Sequence, residues 1–281
     1  MISCSKSDQR RCRPLLGTFV EISASGLDSH PLSIAIRDAF AAVEQIQRQM
    51  SVHDESSEMS EVNRAAHLHP VRVHEQTFEV LERGLALARE CNGAFDFTVG
   101  STLAQWGLRP RGLQRKRSGD WRDIELLPDR RISFRRPLAI DLGGIAKGYA
   151  VDAAIAVLVQ HGVATARVNA GGDLRVFGPK DSWVHLRHPN ANQLLPNPIS
   201  LRNAALATSS PGFTRKPWRG QIVSHLVNTT TSRPVTDRIS VTIRASECWV
   251  ADALTKVVLN APEIAGRLLE KHRAEAFVLS A

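Results

Sequence analysis

Long hydrophobic runs, paired cysteines and a signal-peptide pattern are all missing from this sequence of 281 residues. No apolar run approaches the roughly 20 residues that a membrane-spanning helix needs, which excludes a transmembrane segment. Residues 1–18 carry charge without an apolar core, so the sequence predicts no signal peptide and a cytoplasmic location. The four cysteines show neither CxxC pairing nor zinc-ligand spacing, which is typical of inert thiols in a reducing compartment.

Acidic residues are fewer than basic residues in this sequence. Lys and Arg number 36 against 28 Asp and Glu, which gives a net charge of +8 and a pI of about 9.8. The basic residues are dispersed, and the densest cluster, Arg109–Arg117, lies in a loop with glycine and proline but no aromatic side chain. Nucleic acid is therefore not the expected partner. A site for an anionic small molecule explains the charge equally well.

Hydrophobic periodicity predicts an α+β protein that begins with a polar tail over residues 1–13. A helical period predicts helices over 31–50 and 75–91. Boundary residues predict further helices over Ala146–Gln160, closed by Gly162, over a segment capped by Ser246 that ends near Leu259, and over Pro262–Lys271. Strand-like runs are Gly17–Gly26, Ala166–Asn169, Leu174–Phe177, Trp183–Leu186, Ile199–Ala207, Ile222–Val227 and Ile239–Arg244. Met50–Asn63 is predicted to be a polar loop. Short strands joined by turn residues indicate antiparallel sheets, and helices flank them.

The stretch DLGGIAKGYAVD, residues 141–152, places an acid, two glycines and a lysine at the start of a predicted helix. The glycines allow close backbone approach, and the helix start offers N–H groups and the positive end of the helix dipole. Lys147 lies in the first turn, where the dipole disfavours a cation, so an anion bound there would explain both features. The alternative is a glycine turn with a surface pair of Lys147 and Asp141.

Three further segments have both a structural and a functional interpretation. NAGGDLRVFG, residues 169–178, predicts either a bulged hairpin or a place where a ligand lies against bare backbone. His225 can move a proton near neutral pH, although a lone histidine in a strand is more often structural. Asp252, Thr255 and Lys256 share one helix face, which either offers oxygen ligands to Mg²⁺ or presents an exposed Asp–Lys pair.

These segments, in this order, resemble the FAD:protein FMN transferase family, the ApbE family. The resemblance runs from about Leu16 to Leu259. DLGGIAKGYAVD is its most specific motif, and further counterparts are LLGTFVEI, MSVHDESSEMSEVN, GAFDFTVG, NAGGDL, the ATS of residues 207–209, HLVNTTTSRP and the ADALT helix. One motif alone would be weak, whereas this many in order indicate the family and the fold.

The resemblance implies one domain over residues 14–281, with antiparallel sheets, flanking helices and a flavin cleft between two closely associated subdomains. It implies an Mg²⁺-dependent transferase that cleaves its substrate FAD and attaches FMN through a phosphoester bond to a Ser or Thr of a target flavoprotein. Two alternatives stay open. One is a flavin-binding carrier or chaperone with weakened catalysis, and the other is a pyrophosphatase that splits FAD into FMN and AMP.

The matching motifs also imply roles for individual residues. His225 would be the base for the attacking hydroxyl, and Asp252 would serve catalysis as a metal ligand. The metal would lie between the backbone carbonyl of Gly144, Asp252 and the Thr255 hydroxyl. The flavin contacts would be Leu16, His53, Ala94, Phe95, Asp96, Asp141, Lys147 and Val227.

The sequence departs from the family pattern around the implied chemistry. Leu16 and His53 stand where the family has a methionine and an aromatic residue. In HLVNTTTSRP, the family's Asp, Pro and Gly are replaced by Asn228, Thr229 and Ser232. These changes predict a less basic His225 and a looser loop. Lys256 replaces a second metal-binding Thr, so either it points aside or its charge takes the place of Mg²⁺, which predicts weak or metal-independent catalysis.

Overall fold

Helices and antiparallel sheets make up the molecule, which confirms the predicted α+β class. The structure is a computed structural model that describes residues 7–113, 119–189, 193–212 and 214–280. The helices are α1 (Ser29–Met50), α2 (Glu58–Ala65), α3 (Glu75–Glu90), α4 (Gly100–Gln105), α5 (Ala146–Gln160), α6 (Cys248–Asn260) and α7 (Pro262–Lys271). In the described ranges, we find no helix with the length and apolar content to span a bilayer.

The strands are mostly short. They are β1 (Asp8–Leu15), β2 (Thr18–Ser25), β3 (Val71–Arg72), β4 (Ile124–Leu127), β5 (Arg131–Phe134), β6 (Thr165–Ala170), β7 (Asp173–Phe177), β8 (Ser182–Val184), β9 (Ile199–Leu201), β10 (Ala205–Ser209), β11 (Lys216–Trp218), β12 (Gln221–Val223), β13 (Val227–Asn228), β14 (Arg233–Pro234), β15 (Ile239–Ala245) and β16 (Glu275–Ser280). β3, β5 and β4 form a small sheet, and β8–β9, β11–β12 and β13–β14 are two-stranded.

A seven-stranded sheet in the order β1-β2-β6-β7-β10-β15-β16 forms the scaffold, and its neighbouring strands are antiparallel. β2 and β6 pair, with Val20 opposite Ala170, although α1 to α5 lie between them in the sequence. Val20 and Ile22 alternate with more exposed residues along β2 and are fully buried in the main core. This period of two is what a sheet with one covered face requires.

Helix α5 lies at the centre of the helical layer, between α1 and α6 and against β6 and β7. The approach of α5 to α6 is close, because a Cβ added at Gly148 would lie 2.4 Å from the carbonyl oxygen of Cys248. Real Cβ atoms do not approach this near, so only glycine permits the contact. The glycine after Lys147 in the 141–152 motif is therefore needed for packing between helices.

Asp152, the last residue of that motif, fixes the start of α6. Its two carboxylate oxygens accept hydrogen bonds from the backbone N–H groups of Cys248 and Trp249, both at 2.9 Å. Arg175 on β7 donates to the same carboxylate at 2.7 Å. A carboxylate at a helix N-terminus satisfies N–H groups that have no partner in the helix and also interacts favourably with the dipole. One side chain thus joins α5, α6 and the sheet.

The prediction of a polar tail over residues 1–13 is wrong for its described part. Asp8–Leu15 is β1, an edge strand that pairs along its whole length with β2. The sequence hid this strand because its side chains are mainly polar and arginine-rich, and almost all of them are exposed or half-buried. Charged edge strands of this kind prevent pairing with other chains, but they lack the apolar alternation used to predict strands.

Other predicted elements need smaller corrections. The predicted loop Met50–Asn63 contains the start of α2, because Ser57 Oγ accepts from the Ser60 N–H and so caps the helix. The predicted strand Ile199–Ala207 is two strands, β9 and β10, and Ile222–Val227 is likewise divided between β12 and β13. The N-cap position of α6 is Glu247 and not Ser246, and the Glu247 side chain makes no capping hydrogen bond. β16 and α4 were not predicted, and the division into one domain over 14–281 stays a prediction.

The hairpin β13–β14 carries three of the departures from the family pattern. Asn228 Oδ1 accepts from the backbone N–H and the hydroxyl of Thr231, at 2.8 and 2.9 Å, and so organises the turn. Ser224 Oγ donates to the Val235 carbonyl at 2.6 Å, which closes the base of the segment. Ser232 has a φ of 54°, in the left-handed region that favours glycine.

The cap that Asp152 provides predicts a large loss of stability on its removal. Asp152→Ala leaves two N–H groups and a half-buried guanidinium without their partner, so the free energy of unfolding should fall by about 3 kcal/mol. Urea denaturation followed by circular dichroism measures this change. Asp181→Ala, which breaks an exposed ion pair with Arg202, is the matched control and should leave stability nearly unchanged. Equal small losses in both variants would contradict the role of Asp152.

The left-handed conformation of Ser232 predicts that Ser232→Gly stabilises the protein. Relief of the backbone strain outweighs the greater freedom of glycine in the unfolded chain, so we expect a gain of about 0.5–1 kcal/mol. Gly220, which has a φ of 80° in the β11–β12 turn, offers the opposite test, because Gly220→Ser should lower the melting temperature. A melting temperature for Ser232→Gly at or below that of the unmodified protein would show that this strain is absent.

Candidate active site

A two-lobed cleft lies at the start of α5. The larger lobe has a volume of about 550 Å³ and the smaller lobe one of about 210 Å³. The lobes share the residues Arg109, Asp141, Gly143, Lys147 and His225. Cavities of this size and shape are typical of small-molecule sites. The two lobes and these five shared residues are called the cleft and its junction below.

Most of the predicted site residues line this cleft. The larger lobe is lined by Leu16 and His53, the smaller lobe by Phe95, Asp96, Gly144 and Val227, and the junction by Asp141, Lys147 and His225. Three predicted residues lie behind the lining instead of on it. They are Ala94, Asp252 and Thr255, which are 6%, 1% and 0% exposed. The cleft therefore brings together residues from β1–β2, α1, α5, α6 and the hairpin region.

Leu16 forms the wall of the larger lobe from an unusual backbone conformation. It has a φ of 56° and is followed by Gly17 at 69°, so the two residues make the tight turn between β1 and β2. The Leu16 N–H donates to Gln47 Oε1 on α1, which fixes the turn against the helix. A leucine held in the left-handed region is strained, and such strain is typical of ligand-binding walls.

Asp141 pairs with Arg109 and not with Lys147. Arg109 donates through Nε and Nη2 to the two oxygens of Asp141, and the Gly143 N–H donates to the same carboxylate at 2.8 Å. The side chains of Arg109 and Asp141 are 14% and 5% exposed. Sequence reasoning considered Arg109 only as a member of a basic cluster. Its position directly before the helix-breaking Pro110 gave no sign that it would reach the cleft.

Lys147 binds two buried carboxylates. Its ammonium contacts Asp173 at the start of β7 and lies 3.5 Å from Asp252 Oδ2. Burial alone would lower the pKa of Lys147, but the two carboxylates outweigh burial and raise it, so the ammonium stays charged. Burial and the nearby Asp252 raise the pKa of Asp173 to about 6 against the effect of Lys147. Asp173 belongs to the NAGGDL segment, but no role had been predicted for it.

Asp252 is surrounded by cations and N–H groups. Lys256 Nζ contacts Asp252 Oδ1 and also donates to the Asp252 carbonyl at 2.9 Å. The Gly148 N–H donates to Oδ2 at 3.2 Å. Burial raises the pKa of Asp252, but Lys147 and Lys256 outweigh it, and the pKa is lowered overall. The Lys256 ammonium thus lies against the Asp252 carboxylate and does not point away from it.

The predicted Mg²⁺ ligands do not fit a metal ion in this arrangement. Both carboxylate oxygens of Asp252 already face donors. Thr255 Oγ1 donates to the Asp252 carbonyl at 2.6 Å, so Ser209 must be the donor in its 2.7 Å bond with Thr255. Mg²⁺ needs oxygen lone pairs directed at one point. Here the Asp252 carboxylate faces two ammonium groups and a backbone N–H, and the Thr255 hydroxyl bonds to Ser209 and to the Asp252 carbonyl. The described residues also contain no group of three or more His, Cys, Asp or Glu placed to hold a metal.

His225 lines the junction, just before the β13–β14 hairpin, with one side of its ring open to the cleft. Partial burial between the cleft walls lowers its pKa, and the positive charges of Arg109 and Lys216 lower it further, together with His53. Asp141 acts in the opposite direction. The imidazole is therefore neutral at pH 7 and able to accept a proton. Asn228 binds its own turn, and the cleft walls and Arg109 are the main groups that lower the pKa of His225.

Ala94 and Thr229 join the hairpin to α6. The Ala94 carbonyl accepts from Asn260 Nδ2 at 2.9 Å and from the Thr229 hydroxyl at 3.4 Å. A proline at position 229 could not donate this bond, so Thr229 offsets part of the rigidity that the family's proline would provide. Next to Ala94, burial raises the pKa of Asp96, whose Oδ1 accepts from the backbone and hydroxyl of Thr98, both at 2.8 Å.

Two FAD:protein FMN transferases are similar to this chain in sequence. The FAD:protein FMN transferase of Vibrio cholerae serotype O1 is 29% identical over 229 residues, which cover 75% of this chain and 69% of that protein. The FAD:protein FMN transferase of Escherichia coli K12 is 25% identical, with 94% of this chain and 82% of that protein covered.

Solved structures extend the similarity to three dimensions. The crystal structure of the ApbE protein from Thermotoga maritima has a TM-score of 0.82 at 26% identity, covering 97% of this chain and 93% of that one. The flavin transferase ApbE from Vibrio cholerae has a TM-score of 0.79 at 25% identity, with the same coverage. The sequence profile described as the ApbE family matches residues 16–278, nearly the whole chain. The chain therefore belongs to the ApbE family.

Proposed function

We propose that this chain is an FAD:protein FMN transferase, which attaches FMN through a phosphoester bond to a Ser or Thr of a target flavoprotein. The observation that carries the proposal is the junction, where Asp141, Lys147 and His225 line both lobes. FAD has a ring system at each end and a pyrophosphate between them. Two lobes that meet at a lysine and a neutral histidine suit this shape, with one ring system in each lobe and the phosphates at the junction.

The proposed reaction exchanges one phosphate ester partner for another. The oxygen of the acceptor hydroxyl attacks the phosphorus of the FMN half of FAD. The new O–P bond forms while the P–O bond to the AMP half breaks, and the bonding electron pair leaves on the AMP phosphate. His225 receives the hydroxyl proton. Lys147 lies at the junction, where its positive charge partly neutralises the negative charge of the phosphates.

The phosphates require more positive charge than Lys147 supplies, and two cations could provide it. The resemblance predicts Mg²⁺, which would neutralise phosphate oxygens, and this dependence stays a prediction. The lysines around Asp252 favour the other interpretation of the sequence, in which Lys256 takes the place of the metal. The proposed transferase activity is the same in both cases, because either Mg²⁺ or the Lys256 ammonium would have to position the phosphates and neutralise their charge.

Mass spectrometry of an acceptor domain provides the direct test of transfer. The purified protein is mixed with FAD and a flavoprotein domain that has an exposed Thr, and the domain in which this Thr is replaced by Ala is the control. We expect the first domain to gain the mass of one FMN and the control to stay unchanged. Release of FMN and AMP without a mass gain would indicate a pyrophosphatase. FAD that stays bound and intact would indicate a flavin carrier, and either result contradicts the proposal.

The lowered pKa of His225 predicts the pH dependence of transfer. The base must be neutral, so the rate should rise with pH through a midpoint below the ordinary histidine value of 6.5 and then reach a plateau. Initial rates of FMN transfer between about pH 5 and 8 measure this profile. His225→Ala should lower the rate by about 10²–10⁴-fold and remove the inflection.

Arg109→Met tests the cause of that shift. Removal of the guanidinium takes away a charge that lowers the pKa of His225 and leaves Asp141, which raises it. The midpoint of the profile should therefore move to higher pH, whatever the change in the plateau rate. A midpoint that does not move would show that Arg109 does not affect the pKa of the base. An inflection that is still present in His225→Ala would show that His225 is not the base.

A further inference from the structure

Lys256 lies among the groups that the resemblance assigns to the metal. A Cβ added at Gly144 would lie 3.2 Å from Lys256 Cε, and the ammonium contacts Asp252 Oδ1. The lysine side chain thus fills the space between the Gly144 backbone and the Asp252 carboxylate. Since Gly144 and Asp252 are two of the three predicted ligands, a metal ion and this ammonium exclude each other from the same place.

The charges around Asp252 already balance. Asp173, Lys147, Asp252 and Lys256 form a continuous row of ion contacts with two negative and two positive charges. The Asp173 and Asp252 side chains are 3% and 1% exposed, so water screens the row poorly. A divalent cation would bring two more positive charges beside two ammonium groups, where their repulsion is strong. The row has no excess negative charge to attract such an ion.

Lys256 also faces the space where a ligand would lie. It lines the smaller lobe, next to Gly144, and its side chain is 17% exposed. An ammonium has three N–H donors, and the bonds to the Asp252 carbonyl and carboxylate use two of them. The third can reach a phosphate oxygen in the lobe. Bonds of this kind, between a charged donor and a charged acceptor, are among the stronger hydrogen bonds in proteins.

We propose that Lys256 is the permanent cation of the pyrophosphate subsite and that this chain binds and cleaves FAD without a divalent metal ion at Asp252. The inference rests on the proposed function, because it names the cation for that same reaction. The P–O bond to the AMP half breaks with its electron pair on the AMP phosphate, and the Lys256 ammonium neutralises this charge. The acceptor proton passes to His225, and no oxidant or reductant takes part.

FAD affinity with and without metal provides the first test. Flavin fluorescence gives the Kd of the full chain in EDTA and in Mg²⁺, and the two values should agree within about twofold. In EDTA, Lys256→Thr should weaken binding by about tenfold or more, because a charged hydrogen bond is lost. Mg²⁺ should restore binding in this variant, since threonine offers the metal an oxygen. Lys271→Thr, an exposed lysine on α7, is the control and should behave like the unmodified chain.

Direct metal binding provides a readout that is independent of flavin. Mn²⁺ titrated into the protein and followed by electron paramagnetic resonance should remain free with the unmodified chain and with Lys271→Thr. Lys256→Thr should bind one Mn²⁺ per chain. Lys256→Met, which has neither charge nor oxygen, should bind Mn²⁺ less well than Lys256→Thr and should bind FAD weakly with or without Mg²⁺. Melting curves identify any variant that fails to fold. If Lys256→Thr does not fold, the comparison of Lys256→Met with the unmodified chain still tests the role of the lysine.

The outcomes separate this inference from the proposed function. Stoichiometric Mn²⁺ binding by the unmodified chain, or an FAD Kd that worsens at least about tenfold in EDTA, overturns the role of Lys256 even if FMN transfer occurs. FAD binding that needs no metal and is lost in Lys256→Thr supports the role of Lys256 as the cation. This support holds even if no acceptor gains FMN. In that case only the transferase proposal fails. Equal FAD binding by Lys256→Thr and the unmodified chain in EDTA also overturns the inference.

Discussion

The close contact between α5 and α6 is the constraint on which the rest of the site depends. Gly148 lets the two helices meet at a distance that no side chain would allow. Its N–H also donates to Asp252 on the opposite helix, and Asp152 one turn later caps the start of α6. Because these contacts fix both helices together, the lysine on α5 and the carboxylate and lysine on α6 have one relative position, as a preorganised site requires.

That fixed position has an electrostatic consequence. Buried carboxylates are tolerated only when cations or N–H groups surround them, and in this cleft lysines and an arginine do so. Lys147 joins Asp173 to Asp252, Lys256 covers the far side of Asp252, and Arg109 neutralises Asp141 at the junction. In the proposed function, the same cations that stabilise the carboxylates in the fold also face the phosphates of FAD.

Sequence reasoning predicted the regular elements well where apolar residues repeat and poorly where they do not. α5 and α7 have the predicted limits, because Gly162 follows the end of α5 and Pro262 begins α7. β1 escaped detection because an exposed, arginine-rich edge strand has no apolar face. In the hairpin, Asn228 supports its own turn and Thr229 bonds to the Ala94 carbonyl, two contacts that the sequence pattern did not indicate.

The sequence by itself determined the α+β class, the family resemblance and most of the cleft lining, because motifs such as DLGGIAKGYAVD keep functional groups within a few residues of one another. Only the tertiary structure decided the partners of each charge. The pairing of Asp141 with Arg109 and of Lys147 with Asp173 joins residues far apart in the chain, and no local spacing encodes them. The contact of Lys256 with Asp252 differs from these, because the two residues lie four apart on α6 and the sequence spacing already allowed it. Only the burial of this pair and the approach of Lys256 to Gly144, just before α5, depend on tertiary packing.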